Sequence, residues 1–304
     1  MQTRSGYQIS DYYPKRCSFI LPTKNRSKRL EKALKLCVKL VKPQDELIIV
    51  DGGSTDNTFK IIKKYKKIID LFISEPDRDL TEAFNKGILL SKGRYIKNLN
   101  DDDTIESQAM EKAISILDLH PEIDILVCGG IRYVNGQRYP FYVPPHSNYG
   151  SSIYTILQYG ACGVGFIINH KALALIGLIP TLASGDIAFI FQAINQHAIV
   201  KFCRIKLFHH PIYKHSTIVK RKSSWWQEYN QLVKQYLTTG QYINYQIKQT
   251  ISFHPINLER LYAMIPVTRA LLFPLRQIYQ RILNKLISNN TLRQKDYLWD
   301  GGFS

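Results

Sequence analysis

The sequence predicts an α/β protein with a mostly parallel central sheet, helices on both faces, and a basic, mainly helical C-terminal extension. Three observations carry this. Short apolar runs alternate with stretches of helical period from residue 17 to residue 128. The loop after each of the first four runs is polar or glycine-bearing. The composition then turns basic beyond residue 215.

Cys17–Leu21 reads as the first strand, stopped by Pro22. Leu30, Ala33, Leu34, Cys37, Val38 and Val41 then form one face of a helix. Glu46–Val50 is a strand apolar enough to be buried on both sides. After the turn Asp51–Ser54, a helix is expected over Ser54–Lys67, with Ser54 as its cap. Ile69–Ile73 is a third strand, Leu80–Leu90 a helix, and Tyr95–Leu99 a fourth strand. Ile105–Leu117 and Asp124–Cys128 add a helix and a strand.

The alternation changes after Gly129. Ile131–Val134 and Gln137–Tyr142 read as a hairpin closed by Asn135-Gly136 in a type I′ turn. Gly160–Gly165 is a small-residue loop, Phe166–Ile168 a short strand, Asp186–Gln196 a helix and Ile199–Phe208 a strand. The expected division is a main domain over 1–215, with halves at about 17–130 and 131–215, and an extension over 216–304.

Across 304 residues, 41 Lys and Arg against 24 Asp and Glu give a net charge of +17, which favours anionic partners. The stretch after residue 215 carries 12 basic against 4 acidic residues and all three tryptophans. There Leu275, Ile278, Ile282 and Leu286 line one helix face, suited to an anionic membrane surface or to docking on the main domain. No zinc pattern or aromatic RNA-binding signature appears, so nucleic acid is not the expected partner. Five cysteines, none in CxxC spacing, read as buried free thiols in a reducing compartment. With neither a leader-like segment nor an apolar run of about 20 residues, the expected location is cytoplasmic, peripheral to a membrane at most.

Asp101-Asp102-Asp103 is the feature with most chemical content. Carboxylates crowded at a strand end repel unless a cation holds them, and hard oxygen ligands suit Mg²⁺ or Mn²⁺. The other reading is an acidic turn that caps the next helix. The four loops Pro22–Arg26, Asp51–Ser54, Glu75–Asp79 and Asn100–Asp103 all fall at carboxyl ends of strands, where such sheets bind ligands.

Five stretches in order resemble the donor half of a family 2 glycosyltransferase of GT-A fold. They are Phe19–Arg26, Val50–Thr58, Glu75–Arg78, Ala83–Ile88 and Leu99–Asp103. The resemblance implies transfer of a sugar from a nucleotide-diphosphate donor, a UDP-sugar above all, to a glycan or lipid-linked acceptor, with a divalent metal on the diphosphate. It places Asp51 by the nucleobase and Pro22 and Thr23 in the nucleoside pocket. Gly52 and Gly53 permit close approach of backbone to a ligand. Asp77, Arg78, Asn85, Lys86 and Asn25 are further candidates for donor contact. For Arg78 a surface ion pair is the other reading, for Lys86 plain solvation, and for Asn25 and Arg26 a helix cap. Gly87 reads as a close helix–sheet contact.

Two positions depart from the family pattern. Asp79 stands where glycine is usual, and the metal motif can be framed as Asn100-Asp101-Asp102 or Asp101-Asp102-Asp103. Asp102 is favoured as primary ligand, with Asp101 and Asp103 as ligand or ribose contact. The resemblance also implies an inverting reaction whose base is an aspartate opening a helix in the second half, which Asp186 fits. His209, His210 and His215 are expected near the diphosphate or metal at best. A nucleotidyltransferase on a similar sheet is the rival enzyme, but it would need a glycine-rich basic loop where Pro22-Thr23-Lys24-Asn25 stands.

Overall fold

The structure, a computed structural model, describes residues 13–134, 137–141, 153, 156, 157, 161–182, 184–211, 222–239 and 242. Strands and helices alternate as β1 (Lys15–Thr23), α1 (Ser27–Leu40), β2 (Glu46–Asp51), α2 (Thr58–Lys64), β3 (Leu71–Ser74), α3 (Leu80–Leu90) and β4 (Gly93–Asn98). β5 (Thr104–Ile105), α4 (Ser107–Leu119), β6 (Ile125–Val134) and β7 (Gln137–Phe141) follow. A 3₁₀ turn at Gly163–Gly165 leads into β8 (Phe166–Asn169), and a second 3₁₀ turn (His170–Ala172) into α5 (Leu173–Ile176). Then come α6 (Gly185–Asn195), β9 (Val200–Pro211) and α7 (Lys222–Tyr236).

One sheet runs in the order β3-β2-β1-β4-β8-β6-β9-β5, with β7 on β6. β3, β2, β1 and β4 are all parallel, as are β6 and β9. β8 joins the two halves, antiparallel to both β4 and β6. The expected α/β class with a mostly parallel sheet is what forms. β1 and β2 are apolar on both faces because helices cover both, and Phe19, Ile20, Leu21 and Leu47–Val50 are wholly buried. Each such side chain stabilises the fold by about 1.5–3 kcal/mol.

Several boundaries move for local reasons. α2 opens at Thr58 rather than Ser54, because Asp56 accepts from the Thr58 N–H at 3.0 Å and its hydroxyl at 2.5 Å. On α1 Leu40 turns inward and Val38 faces solvent, 55% exposed. Asp79, the departure from the family pattern, is the N-cap of α3: its carboxylate accepts from Glu82 N–H at 2.9 Å. The two-residue β5, pairing with β9, had no sequence signal because two residues show no period. All five cysteines are free thiols; Cys162 alone is partly exposed.

The chain divides into two compact units, residues 1–229 with 296–304 and residues 230–295. The expected boundary near 215, His215, Asn135-Gly136 and the apolar stripe at 275–286 lie outside the described residues. Among the described residues no helix is long and apolar enough to cross a membrane.

The amino ends of the parallel strands are closed by a satisfied polar network. Arg16 forks onto Asp45 (2.8 Å twice) and Glu111 (2.7 and 3.0 Å). Ser18 donates to Glu46 and accepts from Gly93 N–H at 2.8 Å. On the other side of the sheet α3 lies so close that a Cβ on Gly87 would fall 2.4 Å from Ile20 Cγ2. Gly87→Ala should therefore destabilise by about 1–3 kcal/mol through overpacking; denaturant unfolding with an unchanged midpoint would show that α3 can move aside.

Candidate active site

The four loops expected to converge do so at the carboxyl ends of β1, β2, β3 and β4. The first two are stapled together. Asn25, at φ +52°, gives its N–H to Ser54 Oγ at 2.7 Å, and its side-chain oxygen accepts from Thr55 N–H at 2.8 Å. Asparagine tolerates that left-handed backbone because its short amide bonds locally. Asp56 accepts from Ser27 N–H at 3.0 Å, so one carboxylate opens both α1 and α2. These bonds give Asn25 a structural task in joining the two loops.

Asp51 is buried and tied inward. Its Oδ2 accepts from Ser54 N–H at 3.0 Å and Ser74 Oγ at 2.6 Å, and its Oδ1 from Ser54 Oγ at 2.5 Å. Pro22 and Thr23 lie beside it in register with Val50 and Asp51. Gly53 takes φ +80°, and a Cβ on Gly52 would fall 2.4 Å from Asp77 Oδ2, so the second loop packs directly on the third.

In the third loop Asp77 pairs with Lys24 at 3.3 Å. Arg78 forms an exposed ion pair with Glu82 at 2.7 Å, the alternative weighed for it. Lys86 donates to Pro76 O at 2.8 Å and pairs with Glu75 at 3.2 Å. Asn85 is a clamp: its amide donates to Ile179 O at 2.8 Å and accepts from Ile179 N–H at 3.1 Å. It thereby fixes the segment that leads into α6. Arg78, Lys86 and Asn85 thus each meet a protein partner in this structure.

The aspartate turn follows β4. Asp101 pairs with Arg26 at 2.7 Å, Asp102 with Arg29 at 3.1 Å, and Asp103 with His210 Nδ1 at 2.6 Å. In this structure a protein cation meets each of the three carboxylates. Asp102, favoured as ligand, is the most exposed of the three. Asp103 is buried and also accepts from Asn100 at 2.7 Å. Burial raises the Asp101 carboxyl, and Asp102 adds to this against the pull of Arg26 and Arg29. Burial lowers His210, but its bond to Asp103 and the charges of Asp103 and Asp102 outweigh that and hold it above its ordinary value. His209 bonds Glu106 at 2.6 Å and Tyr133 at 2.8 Å, away from the turn's carboxylates. Among the described residues no three acidic, histidine or cysteine side chains form a ready cation cage.

Asp186 sits in the first turn of α6. Its Oδ2 accepts from Gly163 N–H at 3.0 Å and its Oδ1 from Ile187 N–H at 2.9 Å. Burial raises its pKa, and these backbone donors offset part of the rise. Cys162 stands within reach of both Asp186 and Asp103, whose charges add to burial in pushing its thiol up. Four buried atoms at this end of the sheet have no hydrogen-bond partner: Thr23 Oγ1, Asn98 Oδ1, Asp101 Oδ2 and Ser184 Oγ. Asn98, Ser184, Arg29 and the buried Lys97 were not singled out from the sequence. The polar pair Lys97-Asn98 inside an apolar run was the signal available.

This fold and site define a GT-A type α/β protein. The family Glycosyl transferase family 2 matches residues 18–177, and the chain belongs to it. It is similar to poly-β-1,6-N-acetyl-D-glucosamine synthase of Staphylococcus epidermidis, 35% identical over 94 residues, 30% of this chain and 23% of that protein. It is also similar to the Staphylococcus aureus poly(ribitol-phosphate) β-N-acetylglucosaminyltransferase TarS, 27% identical over 128 residues, 40% of this chain and 22% of that one. The match thus spans under a quarter of either relative. Among solved structures, S. aureus TarS 1–349 in complex with UDP-GlcNAc shares the fold at TM-score 0.59 and 19% identity, over 71% of this chain and 65% of that one. A mannosyltransferase from Pyrobaculum calidifontis in complex with GDP-Man and Mn²⁺ does so at TM-score 0.52 and 15% identity, over 78% and 65%.

Arg26→Gln would leave the Asp101 carboxylate buried without its cation. The expected cost is about 1–2 kcal/mol, below that of a fully buried pair because the Arg26 side chain is 45% exposed. An unchanged thermal midpoint in low salt would show that Arg29 alone balances the turn.

Proposed function

We propose that this chain transfers a sugar from a nucleoside diphosphate donor to a hydroxyl of a cell-surface glycan, inverting the anomeric centre. The supporting observation is Asp186, a buried carboxylate aimed by two backbone N–H groups, together with the Asp101–Asp103 turn that follows β4. The acceptor oxygen attacks the anomeric carbon, and its proton passes to Asp186. The bond from that carbon to the diphosphate oxygen breaks, and the diphosphate leaves with the electron pair. Attack and departure lie on opposite faces, so configuration inverts.

The residues fit a divalent cation. Asp103 and His210 converge, Asp101 Oδ2 is buried without a partner, and a mixed carboxylate–imidazole set suits Mn²⁺ better than Mg²⁺. When bound, such an ion neutralises charge on the diphosphate. Asp103 and His210 would hold it in place of the proton they now share, with Asp101 free to accept from the donor. Thr23 and Asn98 supply open polar atoms for the nucleoside, and the Asp51 loop forms its wall. The relatives' names support an N-acetylglucosaminyl donor and a polymeric acceptor.

Calorimetry of UDP-GlcNAc, UDP-glucose and GDP-mannose with and without Mn²⁺ tests this. At least one should bind, more tightly with Mn²⁺, and Asp103→Asn or His210→Gln should abolish the Mn²⁺ dependence. Binding of none in either condition would remove the proposal.

Asp186→Asn should keep donor affinity and lower transfer by about 10²–10⁴-fold. The base works only when ionised, so transfer should fall as pH drops through its raised pKa, at values above the ordinary aspartate value of about 3.9. A flat profile down to that value, or retained transfer by the variant, would reassign the base.

A further inference from the structure

Lys97 lies on β4 with its side chain wholly out of water. Its ammonium donates to the carbonyl of Val164 and, at 3.3 Å, to that of Phe166. Among the described residues no carboxylate forms an ion pair with it. Desolvation of an ammonium costs several kcal/mol even after relaxation, and here burial pulls its pKa down to about 8. An apolar side chain of the same length would avoid that cost. The position therefore calls for what only a donor can do.

The carbonyls it holds belong to the 3₁₀ turn Gly163–Gly165 and the first residue of β8. The turn is closed by Gly165 N–H on Cys162 O at 2.7 Å. Its first residue, Gly163, gives its N–H to Asp186 Oδ2 at 3.0 Å. Lys97 thus grips from below, through its carbonyls, the turn whose N–H aims the carboxylate.

We infer that Lys97 is a positioning residue for Asp186: its ammonium fixes the 163–166 backbone so that the Gly163 N–H stays directed at the carboxylate. The inference rests on the reading of Asp186 as the base.

The test compares Lys97→Met, which keeps length and loses the donor, with Lys97→Gln, which keeps N–H donors. Lys97→Met should lower kcat about 10- to 100-fold with donor KM nearly unchanged, as small misplacements of reacting groups do. The acidic limb of its kcat profile should move to higher pH, because the carboxylate loses a donor to its charged form. Lys97→Gln should recover part of both. A Lys97→Met protein that binds donor normally and keeps wild-type kcat and pH limb overturns the inference, because a merely structural lysine would change only stability. Should Lys97→Met fail to fold, Lys97→Leu, which also lacks the donor, is read in its place, and wild-type kcat and limb there overturn the inference equally. Asp186→Asn separates the two readings. If it abolishes transfer while Lys97→Met is neutral, only the positioning role falls. If it retains transfer, the base assignment falls.

Discussion

Three carboxylates in succession can close a buried strand only if their repulsion is met. At about 5 Å and an effective dielectric near 20, each like-charged pair costs about 3 kcal/mol. The protein answers with Arg26, Arg29 and His210, each reaching a different aspartate. The two arginines come from the start of α1 and the histidine from the end of β9. The turn thus ties together elements from both halves of the sheet. The site is a consequence of that charge balance as much as of the parallel strands that lead to it.

The two ends of the sheet are treated differently. At the amino ends Arg16, Asp45, Glu111, Ser18 and Glu46 satisfy one another. At the carboxyl ends buried atoms of Thr23, Asn98, Asp101 and Ser184 lack partners. Each such atom costs about 1–3 kcal/mol. Their gathering at one end is the expected signature of groups held ready for a polar ligand. Stability is built at one end of the strands and chemistry at the other.

The loops of the site are bonded to one another. Asn25 and Asp56 join the first two loops, Gly52 packs on Asp77, and Asn85 clamps Ile179. The last of these links the donor half to the segment that opens α6, and so to Asp186. Several residues first read as ligand contacts carry this scaffolding.

Much was legible from sequence. The period-two and period-3.6 patterns are local, so they gave the strand–helix alternation, the four converging loops, the close approach at Gly87 and the aspartate turn. Glycines and aspartates at strand ends marked the site by composition alone. What no window of sequence contains is which partner a side chain meets. Asn85 finds Ile179 94 residues away, and Asp103 finds His210 107 residues away. Lys97 lies in an apolar run, and only packing brings it the carbonyls of Val164 and Phe166. The sequence determined the elements and the place of the chemistry. Tertiary packing alone decided which charges neutralise one another, because those contacts form only when distant strands are laid side by side.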